Sequence, residues 1–460
     1  MAGGEELFAY VPASIIGELW KLTKPDYTHQ YYVDGSPVVS DAWLGSNLGW
    51  RTLAVGTTGA GGRSVFALDV TNPESMGASQ VLWEFSHTEM GLAMQKPGIA
   101  ALANGQFGVA VSSGYGRDPS LTTGKIWILD AATGEQIKEI IIPTGAGAEL
   151  GSPLLIDTNA DRIADRLYVA DTHGKLWRVD IGSATPETWQ APAGLRAEAT
   201  MLPLFEAAIP GANGGDPAIK QPITADLTAA LNELGQIMVF FGTGSFQNVG
   251  DNVVSNTPAV ESFYGIIDRG VPVARNTLLE QEIIREVAQD GNKPRVRLVS
   301  SNNPTATHNG WFINLLWKNT YGGPGAKGER VVSQSIVRTD RVIFPTLIRS
   351  GDPCAAGGSS WLMEVDLYTG GRLAYEVFDT DNDGDIDEQD RVPSGDGDDD
   401  PTLPPSGIDP DIGIIQKPTI IENCKDGEEC KIVSGSSGQA EVILEKGIKP
   451  VGRINWEQLR

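Results

Sequence analysis

Oxygen-bearing side chains stand at positions 1, 3, 5 and 9 of the stretch Asp157-Thr158-Asn159-Ala160-Asp161-Arg162-Ile163-Ala164-Asp165. Position 7, Ile163, is apolar and can offer its carbonyl. Alternate residues of a tight loop point inward, and a hard cation such as Ca²⁺ takes six to eight oxygens arranged in this way. The ligand set read here is Asp157, Asn159, Asp161, the Ile163 carbonyl and Asp165. The loop lies between Leu154-Leu155-Ile156 and Arg166-Leu167-Tyr168-Val169-Ala170, two apolar runs that read as strands of a hairpin. A metal-free polar turn would use the same residue types, because Asp and Asn form turns unaided.

A second loop, Asp379-Thr380-Asp381-Asn382-Asp383-Gly384-Asp385-Ile386-Asp387-Glu388-Gln389-Asp390, has the twelve-residue spacing of an EF-hand loop. Its candidate ligands are Asp379, Asp381, Asp383, Asp385, Asp387 and Asp390, with Asp at the last position where Glu is usual. The preceding Leu373-Ala374-Tyr375-Glu376-Val377-Phe378 alternates like a strand, not a helix. An acidic solvated loop is the alternative, since residues 379–400 hold eleven carboxylates against one Arg. Residues 379–410 read as an acidic insertion.

These loops need a scaffold. At 460 residues the chain can bury a large core, and its 40% hydrophobic content excludes general disorder. Fifty-five Gly and 28 Pro among short apolar runs point to many turns. The formal charge of −24 excludes nucleic acid as a partner and disfavours anionic membranes. No run of 18 apolar residues exists, so no transmembrane helix and no membrane insertion are expected. Met1 to Phe8 carries no secretory signal and reads as a boundary inside a larger protein. Of three Cys, Cys424 and Cys430 bracket the turn between two strand-like runs and are a disulfide candidate, with Cys354 left over; free thiols fit the spacing as well.

A phrase recurs at irregular intervals: a short strand with a small polar turn, then a strand ending in Asp. It appears at Thr52–Asp69, Val109–Asp130, Leu167–Asp180, Val239–Asp268 and Trp361–Asp366. Ala132-Thr133-Gly134 and Tyr368-Thr369-Gly370 follow two of these Asp residues and resemble the turns of quinoprotein-like blades. The expected fold is all-β, a modified β-propeller of about seven blades with loop insertions, forming one domain over 1–460. Helices are expected only at Ser14–Lys21 and Asn276–Ala288.

Gly4-Glu5-Glu6-Leu7-Phe8-Ala9-Tyr10-Val11-Pro12, Tyr32-Val33-Asp34-Gly35-Ser36-Pro37, Trp50-Arg51-Thr52, the run Gly59–Thr71 and Gly357-Gly358-Ser359-Ser360-Trp361 resemble the C-terminal domain of the PilY/PilC family. These are type IV pilus biogenesis factors and tip-associated adhesins. The resemblance covers roughly residues 4–450. It implies a modified propeller with a calcium loop in a blade hairpin, mapping onto Asp157, Asn159, Asp161, Ile163 and Asp165. The chain departs from the family at Arg162, where Gly is frequent. The resemblance further implies minor pilins and the assembly machinery as partners, together with host or abiotic surfaces. It implies a pilus-tip, cell-surface or outer-membrane-associated periplasmic location, and control of extension against retraction, hence twitching motility and virulence.

Two other classes fit the fold. A pyrroloquinoline-quinone dehydrogenase would stack its cofactor on a channel Trp, but Trp127, Trp177 and Trp361 recur where blade packing explains them. A generic calcium-stabilised protein- or glycan-binding propeller predicts the same loops without a role in pilus assembly. His29, His87, His173 and His308 are too dispersed for a zinc or haem site. Gly322-Gly323-Pro324-Gly325 lacks the Lys-Ser/Thr of a phosphate cradle.

Overall fold

The computed structural model describes residues 6–211, 217–253, 255, 258–287, 294–317, 326–352, 356–397, 399–425 and 428–447. The Gly322–Gly325 run and Cys354 lie outside the described residues. The chain folds as two compact units, Met1–Leu227 with Asp268–Arg275, and Thr228–Ile267 with Asn276–Arg460.

The first unit holds three four-stranded sheets. One is the antiparallel meander β1 (Val38–Trp43), β2 (Trp50–Thr57), β3 (Ser64–Asp69) and β4 (Val81–Ser86); the next is β5 (Gly98–Ala101), β6 (Phe107–Ser112), β7 (Gly124–Asp130) and β8 (Gln136–Ile142). The third orders the strand Phe205–Glu206, β11 (Lys175–Asp180), β10 (Arg166–Ala170) and β9 (Leu154–Ile156). Their facing side chains make the core: Val55, Val65, Trp83, Val109 and Trp127 between the first two, and Ile126, Ile128, Leu167, Val169 and Trp177 between the second and third. These are propeller blades, with the hairpin β9–β10 presenting the first acidic loop.

In the second unit the pairing is continuous. Ten strands form one sheet, in which Leu279–Val287 runs parallel to Gly310–Trp317. Blades are therefore not separable there by hydrogen bonding. Phe240, Phe263, Trp311, Phe344 and Trp361 fill its core. A three-stranded sheet follows, Thr419–Lys425, Glu428–Ser434 and Ala440–Glu445.

The Thr-Gly phrases have a defined job. Asp130 Oδ1 accepts from the backbone N–H groups of Ala132 and Thr133 at 2.8 and 3.0 Å, and Asp366 Oδ1 accepts from Tyr368 and Thr369 at 3.0 and 2.8 Å. Gly134 and Gly370 then take φ of 72° and 69°. A Cβ on Gly134 would lie 2.6 Å from the Trp83 ring, and one on Gly370 would lie 2.2 Å from Trp311. Each indole N–H donates into the same turn, Trp83 to Ala131 O and Trp311 to Leu367 O, both at 3.0 Å. Asp closes the turn, and Gly both permits its handedness and leaves room for a tryptophan.

The helical expectations fare differently. Residues 14–21 are partly helical: an α-helical turn Ala13–Ile16 gives way after Gly17 to a 3₁₀ turn Leu19–Thr23. The expected helix Asn276–Ala288 is incorrect, because Leu279–Val287 is a strand and Ala288 lies outside the described residues. Leu279, Gln281 and Ile283 point inward while Glu280, Glu282 and Ile284 point out. A buried Gln hid that period of two; its Nε2 donates to Asn302 O and Thr369 O at 2.9 and 3.0 Å. Leu373–Phe378 is not a regular strand either, and only Phe378 makes a bridge, to Glu445.

Beneath the three-stranded sheet lies a buried ion cluster. Lys431 contacts Glu364 and Glu445, all three with side chains 0% exposed. Arg341 pairs with Glu364 at 3.1 Å and reaches Glu429 at 3.8 Å. Arg338 reaches Glu429 at 2.7 Å. Alternation in Glu428–Ser434 turns Glu429, Lys431 and Val433 inward together, so the sheet is keyed to its neighbour by charges as well as by Val433 and Ile443.

Candidate metal loops

Both acidic loops are built by the same chain of backbone bonds. In the first, Asp157 at position 1 accepts through Oδ1 from Ala160 N at 2.8 Å and through Oδ2 from Arg162 N at 2.6 Å. In the second, Asp379 accepts from Asn382 N at 2.7 Å and Gly384 N at 3.0 Å, again positions 4 and 6. Position 3 accepts from position 5: Asn159 Oδ1 from Asp161 N at 2.9 Å, and Asp381 Oδ1 from Asp383 N at 3.3 Å. Position 5 accepts from position 7: Asp161 Oδ1 from Ile163 N at 2.8 Å, and Asp383 Oδ1 from Asp385 N at 2.9 Å.

The backbone turns agree as well. Positions 4 and 6 are left-handed in both loops, with φ of 63° at Ala160 and 71° at Arg162, and 61° at Asn382 and 88° at Gly384. Arg162 thus adopts the conformation that glycine would take, at a cost of roughly 1–2 kcal/mol. The departure at this position alters the residue and leaves the loop shape intact.

A closing carboxylate completes each loop by gripping Thr at position 2. Asp165 accepts from Thr158 N at 3.2 Å and from its Oγ1 at 2.7–2.8 Å. Asp390 accepts from Thr380 N at 2.5 Å and Oγ1 at 3.2 Å. Asp165, ninth in its loop, therefore fills the role of Asp390, twelfth in the other. The extra residues of the second loop make the 3₁₀ turn Glu388–Asp390, for which Asp387 is the N-cap, accepting from Gln389 N at 2.7 Å.

The candidate ligands are gathered unequally. Asp379, Asp381 and Asp383 bring carboxylate oxygens within 4.8 Å of one another. Asp387 is occupied as a cap, Asp390 is buried on Thr380, and Asp385 is exposed, its place in the spacing being that of a carbonyl ligand. In the first loop Asp157, Asn159 and Asp161 are exposed, and Asn159 Nδ2 donates to Asp161 Oδ2 at 3.1 Å. Burial works to raise the Asp157 pKa, but backbone N–H donors from Arg162, Asn159 and Ala160 outweigh it and hold the carboxyl below its ordinary range. Burial, with the nearby charge of Asp379 adding to it, pushes Asp390 up. All donors are oxygens, with neither sulfur nor imidazole, a set that fits Ca²⁺.

Cys424 and Cys430 form a disulfide across the hairpin, with Cα atoms 5.9 Å apart. Beside it Lys425 Nζ donates to the Gly384 carbonyl of the second loop. Lys425, Thr158 and Thr380 are the residues that sequence reading missed. Thr at position 2 of both loops was a visible signal; the reach of Lys425 over 41 residues was not. Trp127, Trp177 and Trp361 are all buried at 0–1% exposure. Trp127 Nε1 donates to Glu139 and Trp177 Nε1 to Asp171, at 3.0 and 2.9 Å, while Phe85 and His87 pack against the Trp127 ring and Lys175 Nζ lies over the Trp177 ring.

A family model described as the PilY1 beta-propeller domain matches residues 2–282. The chain is 34% identical over 394 residues to a type IV pilus biogenesis factor PilY1 homologue of Xylella fastidiosa, covering 81% of this chain and 25% of that protein. It is 32% identical over 426 residues to type IV pilus biogenesis factor PilY1 of Pseudomonas aeruginosa, covering 84% of this chain and 36% of that one. The chain therefore spans about a quarter to a third of the length of these relatives. The crystal structure of the Pseudomonas aeruginosa PilY1 C-terminal domain is similar with a TM-score of 0.76 and 25% identity, covering 96% of this chain and 89% of that one.

Proposed function

The chain belongs to the PilY1 family of type IV pilus biogenesis factors, and from that premise we propose that it is the calcium-responsive propeller domain of such a factor. The observation that carries this reading is the shared bonding scheme of the two loops, which presents oxygens at positions 1, 3 and 5 on one backbone form. Calcium there removes repulsion among the carboxylates and selects one loop geometry. A partner that reads this geometry is biased by calcium to the extent of its differential affinity for the two states. The partners proposed are minor pilins and the assembly machinery, with adhesion to host or abiotic surfaces as the outcome. The location proposed is the pilus tip, the cell surface and the periplasmic side of the outer membrane.

The relatives are named as biogenesis factors, and catalysis is not part of this reading. The test is a strain carrying Asp161→Ala. It is expected to make a folded, secreted protein at normal level, with altered surface piliation and impaired twitching. Normal piliation and motility, with calcium binding lost in the purified protein, would reduce the metal to a structural staple.

A further inference from the structure

The strand Ala440–Glu445 pairs on one side only, with Glu428–Ser434. Its far end is already taken up: Lys446 N donates to Val377 O at 2.9 Å, and Asp379 N to Leu444 O at 3.4 Å. The chain thus covers that end through the single bridge of Phe378 to Glu445 and then leaves the edge at Asp379 to form the second acidic loop. Leu444 and Lys446 make these bonds on the side away from Glu428–Ser434. By the two-residue period of a strand, Val442 aims its N–H and C=O the same way. Among the described residues no backbone bond takes up Val442 on that side, and its side chain is 59% exposed.

Beside this open length lies a cavity of about 260 Å³, with Pro294, Asp379, Asp409, Asp411, Glu441 and Val442 in its wall. Asp409 is paired with Arg295 at 2.8 Å. Asp411 and Glu441 are exposed at the rim, and Pro294 and Val442 give the wall an apolar stretch. A long side chain with an aliphatic stem and a cationic head matches that wall: the stem lies on proline and valine, the head on the two carboxylates. An unpaired strand edge is itself a template for an added strand, in which backbone bonds give affinity and pockets for alternate side chains give selectivity.

We propose that the open edge at Ala440–Ile443 docks an extended segment of a partner protein that carries Lys or Arg at alternate positions, one of which enters the acidic cavity. This surface adjoins the second loop but does not require a metal there.

The probe is a fluorescein-labelled octapeptide with lysine alternating with threonine, followed by fluorescence anisotropy with the full chain. Its glutamate counterpart, and a version N-methylated on the amides of one edge, are expected to bind at least tenfold more weakly. Val442→Pro removes only an outward-facing donor, which strand edges tolerate, and is expected to weaken binding by a similar factor. Asp411→Lys with Glu441→Lys is expected to abolish the salt dependence. Equal binding of the N-methylated peptide would overturn the proposal in favour of adsorption by charge, and it needs no variant of the protein. Self-association of the chain, lost in Val442→Pro, would place a second copy on the edge and also overturn it. Each arm is run in calcium and in chelator. Binding in chelator upholds the proposal whatever becomes of the calcium reading.

Discussion

Lys431→Met is expected to destabilise the second unit by roughly 3–5 kcal/mol, the cost of removing one partner from a buried ion pair. Glu364 and Glu445, both 0% exposed, would be left facing each other's charge in the core, with Arg341 on Glu364 as the remaining cation paired with either among the described residues. Burial pushes the Lys431 ammonium below its ordinary range while Glu364 opposes that shift, so the cation and its carboxylates depend on one another. Adding Glu445→Met to Lys431→Met is expected to recover much of the loss, because an apolar pair of similar volume avoids the desolvation of both ions. Guanidinium unfolding followed by tryptophan fluorescence measures both variants. A loss under 1 kcal/mol for the single variant would mean that water reaches the cluster.

Glu261 is expected to make the protein less stable as pH rises from about 4.5 to 7. Its carboxyl is buried, one oxygen has no hydrogen-bond partner among the described residues, and burial raises its pKa to about 7. In that window the folded state holds a proton that the unfolded state, with an ordinary value of 4.5, has released. Stability then falls with pH, because the unfolded state binds fewer protons. Each pKa unit corresponds to about 1.36 kcal/mol, so the loss approaches about 3 kcal/mol once pH exceeds the folded value. Glu261→Gln keeps the shape without the charge, and should melt higher than the parent at pH 8 and equal it near pH 4.5. A parent melting temperature that is flat or rising between pH 5 and 7, with no gain for Glu261→Gln at pH 8, would show that this carboxylate finds a cation when it ionises.

Much of the site was legible because its determinants are local. Acid spacing over nine or twelve residues sets the order of the oxygens, and the two loops share bonds made by the residues they have in common at positions 1, 2 and 5 and by Asn159 and Asp381 at position 3. The Asp and Gly of the Thr-Gly phrases were legible for the same reason, although the tryptophan that each Gly accommodates is distant in sequence, Trp83 against Gly134 and Trp311 against Gly370. What was hidden is nonlocal or runs against polarity. Gln281, Glu429 and Lys431 sit on inward faces because distant groups satisfy them. A pattern of apolar residues alone therefore misassigned Leu279–Val287, and gave no sign of the cluster beneath the three-stranded sheet. The Cys424–Cys430 bridge stood as one of two options by spacing; the register shift between Ile421 and Lys425, after which Lys425 pairs with Glu428, leaves the two Cα atoms 5.9 Å apart.

The most direct test of the account is the calcium-dependent melting of the purified chain beside the double variant Asp161→Ala/Asp379→Ala. A ligand bound only by the folded state adds RT ln(1 + [L]/Kd), about 2.7 kcal/mol at a hundredfold excess over Kd. Calcium is expected to raise the melting temperature of the parent chain over a chelator control, and to leave that of the double variant unchanged. An equal calcium-induced rise in both proteins would contradict the assignment of either loop as a calcium site.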